Sequence, residues 1–393
     1  MTAQSDTTAP PQPAAARLAP WALMLGNFAV GLAVLAPAGM LNELAADLAV
    51  SIQQAGWLVT LGAVVLCFGS PLVAWATSTL DRRLLLAATL ALVAAGNAAS
   101  ALAPNYAALM LLRLLTLAVA AVFTPQAASA ISLMVPEKDR SSAISFVFLG
   151  WSLAVAIGLP LVQFIADHLG WRSAFGALAA ALAAICVLAA ISIPARLHGP
   201  ALSLSSWGAI ARNRMIVLLL CITAVYVSGM FLIFPYLGPL LSGLVGASPQ
   251  TIASFFALMG VAGFIGNLVA SRAVRRVGTF AAALASILVV LLGTLCWWFG
   301  ASSFVTLGLG TALIGLGSLA LNSMQQARLV AVAPALAGGT VALNTSSLYV
   351  GQAVGSGLGG ALFAHDWIAG VGPLASTFLI GALALTLVTR RAG

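Results

Sequence analysis

The chain has 393 residues, of which 62% are hydrophobic and 6% charged, with 16 Lys+Arg against 8 Asp+Glu for a formal charge of +8. A soluble domain carries about 45–50% apolar and about 25% charged residues, so most of this surface faces lipid rather than water. The basic groups are few and scattered between apolar segments, which excludes a nucleic-acid partner, and Cys67, Cys186, Cys221 and Cys296 stand singly inside apolar runs, which excludes a disulfide or zinc framework.

A bilayer core about 30 Å thick takes about 20 residues of helix, which satisfies its own backbone polar groups in lipid. Twelve stretches qualify, at residues 20–41, 54–76, 84–102, 106–134, 141–163, 173–193, 214–240, 250–270, 279–299, 304–331, 340–364 and 373–389. The Pro/Ala-rich residues 1–19 read as a disordered cytoplasmic tail. The longest polar connection, residues 194–213, reads as a cytoplasmic linker dividing a six-helix bundle at 20–193 from a second at 214–393.

Lys and Arg favour the cytoplasmic side. With both termini inside an inner (plasma) membrane, all 16 Lys and Arg fall on the cytoplasmic side except Arg172, in an outer loop, and Arg113, inside span 4. The halves echo each other: Ser78-Thr79-Leu80-Asp81-Arg82-Arg83 follows span 2, and Ser271-Arg272-Ala273-Val274-Arg275-Arg276 follows span 8. A parallel repeat of six-helix halves, with a site between them near the midplane, is a transporter architecture.

The segment Gly69 to Arg83, the loop Pro136 to Arg140 with Ser141-Ser142, the stretch Gly150…Gly158-Leu159-Pro160 and Gly170-Trp171-Arg172 occur in the order and spacing of one family. On these motifs the chain resembles the major facilitator superfamily, in its twelve-span drug:proton antiporter branch with its sugar-efflux-like members. The resemblance implies an all-α membrane protein of twelve helices in two pseudo-symmetric bundles. It also implies a proton-coupling role for Arg113. The motif after span 2 departs from the family's pattern, with Ala74 and Ser78 at its Gly and Asp positions and a displaced Asp81.

Arg113 is the most informative residue, because a charge inside a span costs about 2.5–3.5 kcal/mol on insertion scales and is rarely left in lipid. The expectation is that it faces the central cavity, on a stripe with Thr116, Ala120 and Thr124; the alternative is that its guanidinium caps backbone carbonyls of a neighbouring span and never meets substrate. None of the eight acids lies mid-span. Glu43 and Asp47, spaced i, i+4 at the outer mouth, are the candidates to pair with Arg113 and exchange protons; the alternative is a solvated loop.

Candidate substrate contacts are Asn27, Thr116, Gln126, Trp151, Gln163, Tyr226, Asn322, Gln325, Asn344 and Gln352. The alternative for each amide is helix-to-helix hydrogen bonding. Asp81, Arg82, Arg83, Arg275 and Arg276 are candidates for a cytoplasmic gate, and Pro37, Gly150, Gly158, Pro160 and Pro235 for hinges.

No nucleophile–base pair, metal set or P-loop is present, so neither an enzyme, a cofactor, a metal nor ATP is implied. The reading is a monomeric secondary transporter exporting small amphipathic or sugar-like molecules in exchange for protons. An uncoupled facilitator or uptake carrier, and a non-transporting sensor, remain open alternatives.

Overall fold

The computed structural model describes residues 17–77, 79–136, 140–198, 208, 210–300, 302–333 and 337–390, and the side chains of Ala74, Ser141, Ser142, Arg275, Ala337 and Gly338 fall outside that description. So do residues 1–16 of the tail, Ser78, Glu137 to Asp139, most of the linker, Pro334 and Arg391.

Among the described residues, eleven helices are long and apolar enough to cross a membrane: Ala19–Gly39, Ile52–Val73, Arg82–Ala101, Tyr106–Met134, Ala143–Leu169, Trp171–Ser192, Arg214–Val245, Pro249–Val274, Arg276–Phe299, Phe304–Val332 and Ile368–Val388. These are spans 1–10 and 12. Span 11 is the helix Ala337–Ala364, 28 residues long and so about 42 Å at about 1.5 Å per residue. It is less apolar because Gly, Ser, Asn and Gln pack it against spans 2, 7 and 10, where a lipid-facing helix would show Leu and Val.

Helix heads are fixed by short polar side chains. Ser51, Asp81, Asn105, Asn213, Ser248 and Ser303 each accept hydrogen bonds from backbone N–H groups at the start of spans 2, 3, 4, 7, 8 and 10. Each satisfies donors that the first turn leaves open. Between spans 8 and 9 the chain turns at Gly278, whose φ of 80° suits a residue without a Cβ.

Prolines break the spans where they remove an N–H and crowd the carbonyl four residues earlier. Span 4 is interrupted between Ala120 and Phe123, ahead of Pro125. Span 5 makes a π-helical turn at Ala154–Gly158, just before Pro160, and its helix continues to Leu169, beyond the expected end at 163. Span 7 ends its first segment at Phe231, tightens to a 3₁₀ turn at Phe234–Tyr236 and resumes over Leu237–Val245. Pro37 stays inside the helix of span 1, close to its end. The outer mouth after span 1 is a further short helix, Leu41–Asp47.

Glycines set how closely the spans approach. A Cβ on Gly150 would lie 2.6 Å from the Phe28 amide nitrogen of span 1, and one on Gly355 would meet the Ser228 backbone of span 7. Gly150→Val is therefore expected to cost about 1–3 kcal/mol by overpacking and to lower the melting temperature of the solubilised protein. Gly176→Ala, with open space around it, should leave that temperature unchanged.

The halves meet along spans 2 and 11 and along spans 5 and 8. Side-chain hydrogen bonds joining them lie toward the arginine-poor face: Asn42 Nδ2 donates to Ser242 Oγ (3.3 Å), Gln250 Nε2 to Asp167 (3.2 Å), and Thr60 and Ser356 share one at 2.9 Å. Nearer mid-span, a Cβ on Gly260 would collide with the Ala156 backbone in the π-turn of span 5.

Candidate functional site

Arg113 comes from the first segment of span 4 and is completely buried. Its Nη2 donates to the Ala33 carbonyl of span 1 (2.5 Å), and its guanidinium lies 5.3 Å from the Phe175 ring of span 6. Its Nε and Nη1 have no hydrogen-bond acceptor among the described residues. The expectation of a side chain lining an open central cavity is thus corrected: Arg113 is enclosed within the first bundle, because span 6 supplies an aromatic face that takes the cation's flat side.

The expected pairing of Arg113 with Glu43 or Asp47 is also absent. The Asp47 carboxylate accepts from Arg172 Nη1 (2.5 Å) and Trp171 Nε1 (2.7 Å) at the head of span 6. Those hydrogen bonds hold its pKa below the usual carboxylate value. Glu43 Oε1 accepts from Gln163 Nε2 of span 5 (2.7 Å), while its Oε2 is buried without a partner among the described residues. Burial raises the Glu43 pKa against the lowering effect of its hydrogen bonds, and the nearby Asp167 adds a like charge. Both carboxylates line a cavity of about 530 Å³ with Trp171 and Arg172.

Polar groups in the middle of the spans form two related clusters. In the first half, Thr124 Oγ1 donates to Asn27 Oδ1 (2.7 Å) and Asn27 Nδ2 to the Val147 carbonyl (3.1 Å), tying spans 4, 1 and 5. In the second, Thr223 Oγ1 donates to Asn344 Oδ1 (2.7 Å) and Asn344 Nδ2 to Asn322 Oδ1 (3.3 Å), tying spans 7, 11 and 10. The counterparts stand at nearly constant offsets of 198 (124 to 322), 197 (147 to 344) and 196 (27 to 223) residues. The bridge between spans 1 and 5 thus recurs between spans 7 and 11, while the amide at the hub moves from span 1 to span 11.

Asn27 and Asn344 are fully buried and spend both ends of their amides on neighbouring helices. Gln325 donates to the Leu219 carbonyl and accepts from Arg328, and Thr116 donates to the Leu112 carbonyl. Gln126 reaches Thr77, Gln163 reaches Glu43, Gln352 is buried in span 11, and Tyr226 is buried with a hydroxyl that finds no partner among the described residues. Of the ten expected contacts, Trp151 and Asn322 are the half-buried ones. Trp151 stacks its ring on the Gly31 position of span 1 and points Nε1 at Thr124 Oγ1 (3.5 Å). Asn322 Oδ1 in turn accepts from Asn344 Nδ2, so both half-buried groups also have partners on neighbouring spans.

At the arginine-rich face, Arg82 is buried and donates to the Thr77 carbonyl (3.0 Å), while Asp81 caps span 3 through the Leu84 amide. Arg83 is half-buried, Arg276 is exposed, and the Arg275 side chain lies outside the described residues. On the opposite face Arg172 pairs with Asp47, and His168 Nδ1 lies 3.4 Å from Asp167.

Arg328, counted from the sequence among the cytoplasmic arginines, stands toward the arginine-rich end of span 10 but is not exposed there. It is fully buried near the end of span 10, donating to Gln325 Oε1 (3.1 Å) and to Thr389 O (3.0 Å) and Oγ1 (2.7 Å), with Phe280 5.5 Å away. The signal was its place inside the helical pattern, three residues after Gln325. Thr124 and Thr223 were missed as bridging donors because a threonine looks the same whether it bonds its own helix or a neighbour.

Two six-span halves, joined toward one face, have the architecture of a multi-span membrane carrier. Comparison with known proteins agrees. The Major Facilitator Superfamily profile matches residues 23–281, and the chain belongs to that family.

It is similar to the "Inner membrane transport protein YdhP" of Escherichia coli (strain K12), with 29% identity over 93% of this chain and 94% of that one. It is also similar to the "Probable sugar efflux transporter" of Mannheimia succiniciproducens, with 25% identity over 89% and 87%. In fold it is similar to a bacterial homologue of the human lysosomal transporter Spinster, solved in an inward-facing and occupied conformation, with a TM-score of 0.73, 15% identity and 98% coverage of both chains.

Proposed function

We propose that this secondary transporter is a proton-coupled exporter of the drug:proton antiporter type, acting as a monomer in the inner (plasma) membrane with both termini cytoplasmic. It moves small, uncharged amphipathic or sugar-like molecules by alternating access between its two bundles, the residues 20–193 and 214–393.

One observation carries the substrate class: of the expected contacts the two half-buried ones, Trp151 and Asn322, are neutral, while the buried cations Arg113 and Arg328 are held inside their own bundles. A site offering an indole face and an amide gains on a ligand with an apolar surface and a few hydroxyl or carbonyl groups. It offers nothing to offset the desolvation of an ion.

The seal toward the arginine-poor face supports a state open on the arginine-rich side, which the positive-inside preference assigns to the cytoplasm. An exporter loads from that state. Among the described residues, the acid with a raised pKa and an enclosed, unpartnered oxygen is Glu43, so the coupling proton is assigned there, with Arg113 as the element that senses the rearrangement of spans 1, 4 and 6. Asp47, tied to Arg172 and Trp171, serves as an outer anchor. The gate role for Asp81, Arg82, Arg83, Arg275 and Arg276 stays with the opposite, cytoplasmic face.

The test is uptake into everted vesicles from a panel of labelled sugars, neutral aromatics, aromatic acids and quaternary ammonium compounds. Neutral amphipathic or sugar-like compounds are expected to accumulate; accumulation confined to the quaternary ammonium compounds would contradict the reading. Asn322→Ala is expected to raise KM about tenfold, the equivalent of about 1.4 kcal/mol, in concentration-dependent uptake with little change in maximal rate.

A further inference from the structure

Tyr236 stands at the break in span 7, fully buried. Its ring stacks on Phe363 at 5.1 Å and its hydroxyl donates to the Ser356 carbonyl (2.7 Å), both on span 11 of its own half. The socket around its tip is made of positions without side chains. A Cβ on Gly359 would lie 2.6 Å from Cε2, one on Gly360 2.8 Å from the hydroxyl, and one on Gly56 would collide with the hydroxyl and lie 2.9 Å from Cζ.

Two of these glycines move with Tyr236, because they belong to the same bundle. Gly56 does not: it is on span 2, in the other bundle, one turn from Thr60, which shares a hydrogen bond with Ser356. The other span 2 glycines, Gly62 and Gly69, face Leu117 and Ala121 within their own half. Gly56 is thus where span 2 lets a side chain of the second half reach its backbone.

We propose that Gly56 and Tyr236 form a knob-and-socket latch that decides which face of the carrier rests open. With the phenol seated against Gly56 the arginine-poor face is shut. Any side chain at position 56 keeps span 2 from closing on span 7, and the population moves toward the state open on that face. Both are positioning residues, and neither is assigned to substrate. The inference rests on the alternating-access reading but not on the identity of the substrate or the coupling ion.

The test reads accessibility rather than transport. A reporter thiol at Thr60→Cys is labelled with an impermeant maleimide added outside right-side-out vesicles, with the parent chain giving the background of its native cysteines. Gly56→Ala is expected to raise the labelling rate about threefold or more, a population shift of roughly 0.7 kcal/mol. Gly56→Ala/Tyr236→Phe, which removes the hydroxyl, the closest atom the new methyl meets, and leaves the 2.9 Å approach to Cζ, is expected to bring the rate part of the way back to that of the reporter alone. A misfolded variant would not be rescued by losing a hydroxyl, so the double variant separates a latch from damage. Labelling of Gly56→Ala equal to the reporter alone, or a double variant labelled as fast as the single one, would overturn the latch. Failure of every compound in the transport panel would count against the functional reading and leave this result standing.

Discussion

Replacing Arg113 with alanine is expected to reduce transport at least about tenfold, an effect of about 1.4 kcal/mol or more on the rate-limiting step. The guanidinium is the polar link from span 4 to the Ala33 carbonyl of span 1, and its flat face rests on Phe175 of span 6. Removing it deletes a charge-assisted hydrogen bond worth about 1.5–3 kcal/mol and leaves a void against the ring. Two of its nitrogens lack acceptors in this conformation, and an unsatisfied buried donor costs about 1–3 kcal/mol. A rearrangement that brings an acceptor to Nε or Nη1 is therefore favoured, which gives the charge a conformational role without direct contact to the ligand.

Arg113→Lys keeps the charge but loses the planar contact and the fork of donors. It is expected to fold, shown by an unchanged melting temperature within about 1 kcal/mol, yet to transport slowly. Transport by Arg113→Lys at the parent rate would leave only a structural charge at this position.

The second large effect is expected from Glu43→Gln. Burial raises the Glu43 pKa where its oxygen is enclosed beside Gln163. A site with a raised carboxyl pKa binds its proton more tightly than the same group in water. By linkage, the closed outer mouth is stabilised at low pH, and that contribution is lost as pH rises through the raised value. The charged neighbours are accounted for: Asp167 of span 5 adds a like charge, Arg172 of span 6 is engaged by Asp47, and Asp47 is held below the usual carboxylate range.

The glutamine variant imitates the protonated form permanently. Exchange of labelled for unlabelled substrate should persist and become insensitive to pH, while accumulation driven by a pH gradient falls about tenfold or more, the equivalent of about 1.4 kcal/mol of lost coupling. Retained gradient-driven accumulation would remove Glu43 from the coupling step.

How far such effects were legible in the sequence depends on the interaction. Lipid imposes so strict a backbone requirement that length and hydropathy alone gave most spans to within a few residues; span 5 runs past Pro160 to Leu169 by widening into a π-turn, and span 7 runs to Val245 instead of 240 after its 3₁₀ turn. Proline positions told where spans break but not how: Pro125, Pro160 and Pro235 give an interruption, a π-turn and a 3₁₀ turn. Arg113 stood out because a charge inside a span is costly, but its direction was not legible, since Phe175 lies 62 residues further along (113 to 175) and only packing brings it near. The sequence offers Asp47 to Arg113 because its actual partners, Trp171 and Arg172, are distant in sequence. Asn27 and Asn344 could serve a ligand or a neighbouring helix equally well by composition, and the structure spends them on helices.

Proton exchange for a neutral substrate is the centre of this account, and everted vesicles energised to be acid inside test it most directly, with a pH-sensitive dye reporting the lumen. Adding a compound that the neutral-substrate panel shows to be transported should release protons in the parent chain, and the release should disappear in Glu43→Gln. Uptake of the labelled compound with no proton movement in the parent chain would contradict the account and make the protein an uncoupled facilitator.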